Sequence, residues 1–186
     1  VRSNAKLLAD AFWPGPLTLL LERSSSVSPA VTGGRSTVGL RVPDHPVALE
    51  LLRSFGGGIA GPSANRFGRV SPTTAAHVIA DLGDDVDVVL DGGPCRVGVE
   101  STIVDLTTDR PVVLRAGGVS VDRLEEVLGC SIGIFVSAEP STGGARAPGM
   151  LEAHYAPNAR VVLCAEHEIA EVLIEVLGSA TGPVGL

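Results

Sequence analysis

Apolar residues recur along the chain at two spacings, and the spacing separates helices from strands. Ala5, Leu8, Ala9 and Phe12 fall on one helical face, with Ser3 as the expected cap and Trp13-Pro14-Gly15-Pro16 as the stop. Residues 17–21, Leu-Thr-Leu-Leu-Leu, read as a buried strand, and 24–34, rich in Ser, Pro and Gly, as a loop. A second strand is expected over 37–43, ended by Pro43, then a helix over 47–54 behind Asp44-His45-Pro46, closed by Gly56. Gly57-Gly58-Ile59-Ala60 reads as a short strand that stops at Gly61-Pro62. Ser71 precedes Pro72, which predicts an N-cap with proline at the first helical position of a helix reaching Leu82. Strands follow over 86–90, 98–106 and 111–115, and Ser120 caps a helix over 121–128 that Gly129 closes. A strand over 160–164 and a helix over 169–177 begin a further α/β unit.

Composition sharpens this α/β reading. Aromatic residues make up 3% of the 186 residues, so the core must be Val, Leu, Ile and Ala, as in sheets covered by helices. A net charge of −7 argues against broad non-specific nucleic-acid binding, although Arg66 and Arg69 form a local basic pair. Cys95, Cys130 and Cys164 have neither CxxC nor metal-ligand spacing and read as reduced thiols of a cytoplasmic protein. No apolar run approaches membrane-spanning length. The chain opens on Val1 without a signal peptide, and Gly182-Pro183-Val184-Gly185-Leu186 looks like a strand just beginning. The expectation is an internal piece of a longer protein.

Several stretches invite chemistry. In Gly61-Pro62-Ser63-Ala64-Asn65, Gly61 permits close approach of a ligand, while Ser63 and Asn65 offer hydroxyl and amide groups. At the expected cap Ser71, free backbone N–H groups favour a phosphate. Arg41 lies in an apolar strand, and Arg115 emerges at a strand end beside Gly117-Gly118, where open α/β sheets bind ligands. Arg41 has two readings: an edge-strand side chain reaching water, or a fixed guanidinium facing a carboxylate. After Ile134 the composition changes to Ser, Pro, Gly and Ala, a linker composition, yet it leads into Pro148-Gly149-Met150 and His154-Tyr155-Ala156-Pro157. That segment holds the chain's single Tyr and single Met. No residue stands out as a general base or nucleophile, and no metal-ligand set is visible.

Taken together, Trp13-Pro14-Gly15-Pro16-Leu17-Thr18, Arg41-Val42-Pro43, Pro62-Ser63-Ala64-Asn65, Ser71-Pro72-Thr73, Glu100-Ser101-Thr102 and Leu114-Arg115 resemble, in order, the YrdC/YciO-like L-threonylcarbamoyl-AMP synthases. The resemblance covers residues 1 to about 130, and 148–157 resembles the linker of the longer, two-domain members. It implies a YrdC-like twisted mixed sheet with flanking helices over 1–134, a linker or lid over 135–158, and the start of a Rossmann-like domain over 159–186.

The implied reaction joins L-threonine, bicarbonate and ATP into threonylcarbamoyl-AMP with release of pyrophosphate, for modification of tRNA by a downstream transferase machinery. By the same resemblance, Arg41, Gly61 and Ser101 line the threonine pocket, and Thr37, Ser63, Ser71, Arg115 and Tyr155 contact ATP, with Tyr155 bringing the linker over the nucleotide. Mg²⁺ accompanies the triphosphate, and catalysis rests on positioning and charge neutralisation. Gly61 stands where alanine is common in the family, and the family's Lys-x-Arg motif is not in the chain, so the piece by itself is expected to be short of part of the threonine site. Two alternatives stay open: an RNA-binding module of the same fold, with a weak tRNA contact, and a related carbamoyl-adenylate-forming enzyme.

Overall fold

The computed structural model describes residues 2–135, 162 and 164–179. By its internal contacts the chain forms two compact units, Val1–Tyr155 and Ala156–Leu186.

The first unit is built on a five-stranded mixed sheet. Its strands are β1 (Leu17–Glu22), β2 (Thr37–Leu40), β3 (Thr102–Asp105), β4 (Val112–Arg115) and β5 (Gly133–Ile134), in the order β2-β1-β3-β4-β5. β1 pairs antiparallel with β2 and parallel with β3; β3 pairs antiparallel with β4, and β4 parallel with β5. The register sets Leu17 opposite Thr102 and Ile103 opposite Arg115, with an irregularity between Ile103 and Val104.

Alternation along the strands divides the sheet into two faces. Leu17, Leu19, Val104 and Val113 point to one face and close a core with Leu8 of α1 (Arg2–Phe12) and Leu124 of α4 (Val121–Leu128). Leu8, Leu17, Val104 and Leu124 have no exposed surface, and truncating any one of the three leucines to alanine costs about 2–5 kcal/mol. Leu20, Ile103 and Leu114 form a smaller cluster of their own. Thr18 and Ser101 share the alternation of Leu20 and Ile103, which puts them on the face away from α1 and α4. α2 (Pro46–Phe55) and α3 (Ala75–Leu82) bury no residue completely.

Several expected elements are corrected. α1 already includes Ser3, so Ser3 is not its cap. β2 stops at Leu40, before Arg41. α3 starts at Ala75, capped by the Thr74 hydroxyl, which accepts from the His77 N–H at 3.2 Å; Ser71 is no N-cap and Pro72 lies outside the helix. Residues 57–60 and 86–90 are not strands. A strand needs a neighbour to take its N–H and C=O groups, and neither stretch has one among the described residues. Val88 and Leu90 are accordingly exposed. The short β5 lies just where the composition changes. The helix expected over 169–177 is present as α5 (Ile169–Ser179), while the strand expected over 160–164 falls largely outside the described residues.

Candidate functional site

The start of β3 and the end of β4 lie side by side, and their polar residues form one connected network. Arg115 lays its guanidinium across the Glu100–Ser101 pair. Its Nε and Nη2 donate to the Ser101 carbonyl at 3.0 and 2.9 Å, and Nη2 also reaches Ser101 Oγ at 3.0 Å. Its Nη1 meets Glu100 Oε2 at 2.7 Å. The other carboxylate oxygen, Oε1, accepts the Ser71 hydroxyl at 2.5 Å. Ser101 Oγ is 2.9 Å from Thr18 Oγ1. With side chains 12% and 26% exposed, the Arg115 and Glu100 pair is shielded enough to hold a fixed geometry, unlike a surface ion pair.

Backbone packing explains why this pair of strand ends is so close. Gly118 N–H donates to the Glu100 carbonyl at 3.0 Å. A Cβ on Gly117 would stand 2.3 Å from that same carbonyl oxygen and 2.6 Å from Thr102 N, so only glycine lets the chain pass there. Thr102 turns to the other side, where its hydroxyl donates to the Val119 carbonyl at 2.7 Å and accepts from the Val119 N–H at 2.9 Å. Glycine at position 15 does similar service near Arg41. A Cβ there would stand 2.3 Å from the Phe12 carbonyl oxygen, while Gly15 N–H donates to the Val42 carbonyl at 2.8 Å.

Arg41 follows edge strand β2 and is exposed, as the water-reaching reading requires. Its Nε nevertheless donates to the Gly15 carbonyl at 3.0 Å, which anchors the guanidinium. Its two terminal nitrogens have no partner among the described residues. Thr37 begins β2, opposite Glu22, and is half-buried. Ser63 is exposed and outside the network around Arg115. Gly61 is also exposed, and a Cβ there would meet nothing within 4 Å, so the backbone itself places no demand for glycine at that position. Tyr155 lies outside the described residues.

Of the eight residues expected at the site, the network thus unites Ser71, Ser101 and Arg115. It adds Glu100 and Thr18, which sequence reasoning had not assigned. Glu100 had a visible signal: a carboxylate in the polar Glu100-Ser101-Thr102 triplet that opens the strand. Nothing in the sequence connected Thr18 to Ser101, 83 residues away. The role foreseen for Ser71 also changes. Its hydroxyl serves Glu100, and the helix N-terminus belongs to Thr74, so the helix dipole does not act at Ser71.

The loop after Ser63 is fastened to α3. Asn65 Nδ2 donates to the carbonyls of Arg66 and Arg69 at 2.9 and 3.1 Å. Asp81 accepts the Arg66 backbone N–H at 2.7 Å on one oxygen and pairs with Arg69 through the other. Arg66 also reaches Asp85 at 2.6 Å. The Arg66 backbone N–H is the largest influence on the Asp81 carboxyl; desolvation opposes it, and the charge and hydrogen bond of Arg69 add to it, so the carboxyl is held below its ordinary value. Both arginines of the basic pair are therefore matched by carboxylates, which weakens the case for an RNA-binding surface there.

Comparison with known proteins places these features in context. The Sua5/YciO/YrdC family model, described as "Telomere recombination", matches residues 1–117, and a model described as "Threonylcarbamoyl-AMP synthase, C-terminal domain" matches 119–183. A threonylcarbamoyl-AMP synthase of Pyrococcus abyssi is 45% identical over 168 residues, 88% of this chain and 48% of that protein. One from Bacillus subtilis is 45% identical over 162 residues, 87% of this chain and 46% of its own length. The chain thus spans about half the length of these curated relatives. Among solved structures, P. abyssi Sua5 complexed with L-threonine superposes with a TM-score of 0.85 at 40% identity, covering 96% of this chain and 53% of that one. Escherichia coli YciO gives 0.57 at 29% identity, covering 64% of this chain and 58% of its own.

Proposed function

The chain belongs to the Sua5/YciO/YrdC family, and from that premise we propose that it forms threonylcarbamoyl-AMP from L-threonine, bicarbonate and ATP, releasing pyrophosphate. The observation that carries the reading is the superposition, over nearly the whole chain, on a relative whose structure is described as complexed with L-threonine. Within this chain, Arg41 and Ser101 take the amino acid, and Ser71 and Arg115 take the nucleotide. Thr37, Ser63 and Gly61 complete the proposed substrate contacts. The threonine amine combines with bicarbonate to give a carbamate and water. A carbamate oxygen then attacks the α-phosphorus, and pyrophosphate leaves.

Both reactants are anionic, so the barrier includes their repulsion. Arg41, with its terminal nitrogens available and its Nε anchored, suits the threonine carboxylate. Arg115 places a fixed positive charge where phosphate charge would lie. A Mg²⁺ ion carried by the triphosphate would supply charge neutralisation and leaving-group assistance. Among the described residues no group of three or more His, Cys, Asp or Glu side chains is arranged to hold a metal ion. The site's one carboxylate, Glu100, has an oxygen on Arg115 and an oxygen on Ser71. This donor set fits a phosphate-borne cation better than one held by the protein.

The product is consumed by a transferase that passes the threonylcarbamoyl group to tRNA, and the protein works in the cytoplasm. No helix among the described residues is long and apolar enough to cross a membrane. The test is calorimetry with L-threonine and with ATP, together with mass-spectrometric detection of threonylcarbamoyl-AMP. The P. abyssi synthase serves as the active reference. In a protein completed with the family's Lys-x-Arg segment, threonine binding and threonine- and bicarbonate-dependent pyrophosphate release are expected. Failure of that protein to bind either substrate under conditions in which the reference binds both overturns the reading.

A further inference from the structure

We propose that Glu100 is a positioning residue that sets the threonine and nucleotide subsites in register with one another; the proposal rests on the functional reading above. Its two carboxylate oxygens serve two different segments. Oε2 holds Arg115 Nη1 at 2.7 Å, and Oε1 holds the Ser71 hydroxyl at 2.5 Å across 29 residues of sequence. Arg115 in turn forks onto the carbonyl and hydroxyl of Ser101, whose Oγ meets Thr18. One carboxylate therefore ties the 71–73 segment, the start of β3 and the end of β4.

An anion of this length serves the position best. A guanidinium held at its Nε and Nη2 edge by Ser101 can still pivot about that edge, and an acceptor on Nη1 removes the freedom. A carboxylate also accepts on both oxygens at once, so a single side chain fixes Ser71 and Arg115 together. The backbone at Glu100 has no slack with which to compensate for a shorter side chain. Its carbonyl accepts from Gly118 N–H, and Gly117 is packed against it. The ion pair also keeps the site electrically balanced near Arg115 before the triphosphate arrives, so the carboxylate is a paired group and not an isolated negative charge facing an anionic substrate.

Glu100 touches neither substrate in this proposal, so its effect must pass through Ser71, Arg115 and Ser101. In Glu100→Ala both tethers are lost, and KM for ATP and KM for threonine should rise together, lowering kcat/KM by about 10- to 100-fold. Glu100→Gln retains the length but loses the charge and has one acceptor oxygen in place of two, so it should recover only part of the loss. Glu100→Asp keeps the charge but falls a methylene short of spanning both partners and should recover less. A purely structural role predicts a different pattern: lower melting temperature with unchanged KM values for the folded fraction.

A readout independent of turnover separates this proposal from the functional one. In ¹⁵N spectra of the protein, the Arg115 Nη1–H signals should be slowed in rotation and water exchange in the wild type and be at least several-fold faster in Glu100→Ala, because Nη1 is the nitrogen that Glu100 holds. If the wild type makes no threonylcarbamoyl-AMP but that slowing is lost on substitution, the functional reading fails while the tether stands. If Arg115 exchange is unaffected, or Glu100→Ala leaves both KM values unchanged, the proposal is overturned.

Discussion

Arg41 shows how one side chain satisfies two readings of the same sequence. It is exposed at the end of an edge strand, as an arginine in an apolar strand is expected to be. It is also held at its Nε by the Gly15 carbonyl, which leaves a two-nitrogen edge of the kind that matches a carboxylate. Lysine at this position has no planar fork and cannot anchor and present at once. Arg41→Lys is expected to weaken L-threonine binding by roughly 10- to 1000-fold and ATP binding far less. Calorimetry with each substrate separately checks this, and equal losses for both would assign Arg41 to the scaffold.

At the scale of elements, the loop carrying Ser63 and Asn65 depends on α3 for its position. Asp81 near the C-terminal end of that helix accepts the Arg66 N–H and pairs with Arg69, so it links loop to helix through one carboxylate. Its acidity is raised mainly by the Arg66 backbone N–H. A carboxyl with a lowered folded-state value stabilises the fold when ionised. That contribution is complete above the ordinary carboxylate value, about 3.9, and is lost as pH falls through the lower folded-state value. The melting-temperature difference between the wild type and Asp81→Asn should therefore be largest near neutral pH and shrink below about pH 4. Hydrogen exchange at the Arg66 amide should quicken in Asp81→Asn at neutral pH. An unchanged exchange rate would show that the loop is fixed by other contacts.

For the molecule as a whole, the helices differ in how far they bury their apolar side chains. Leu8 of α1 and Leu124 of α4 are completely buried in the core, whereas α2 leaves Val47, Leu51 and Phe55 exposed. Val47 and Leu51 line a groove of about 290 Å³ together with His45, Leu90 and Gly92, away from the Arg115 network. Clustered apolar side chains of this kind favour association in water. The isolated chain is expected to bind a hydrophobic dye and to sediment with concentration-dependent mass. Leu51→Lys with Phe55→Ser should reduce both effects without lowering the melting temperature by more than about 2–4 °C, because neither side chain belongs to the core. Sedimentation velocity across a concentration series tests it.

By itself, the sequence determined whatever depends on local spacing. β1, β4 and α4 follow from runs of aliphatic residues, and Ser120 and Gly129 bound α4 as expected, because caps and stops act within one helical turn. Six ordered motifs were enough to indicate the family, since each motif is a short string of residues. Tertiary structure decided what depends on neighbours distant in sequence. Residues 57–60 and 86–90 have strand-like composition but no ladder partner among the described residues, and a strand is made by its partner. The same holds for the site. Ser71 reads locally as a helix cap, yet its hydroxyl belongs to a carboxylate 29 residues away, which in turn grips Arg115. Only the folded chain brings these groups within hydrogen-bonding distance, because their order along the sequence carries no record of which oxygen will face which donor.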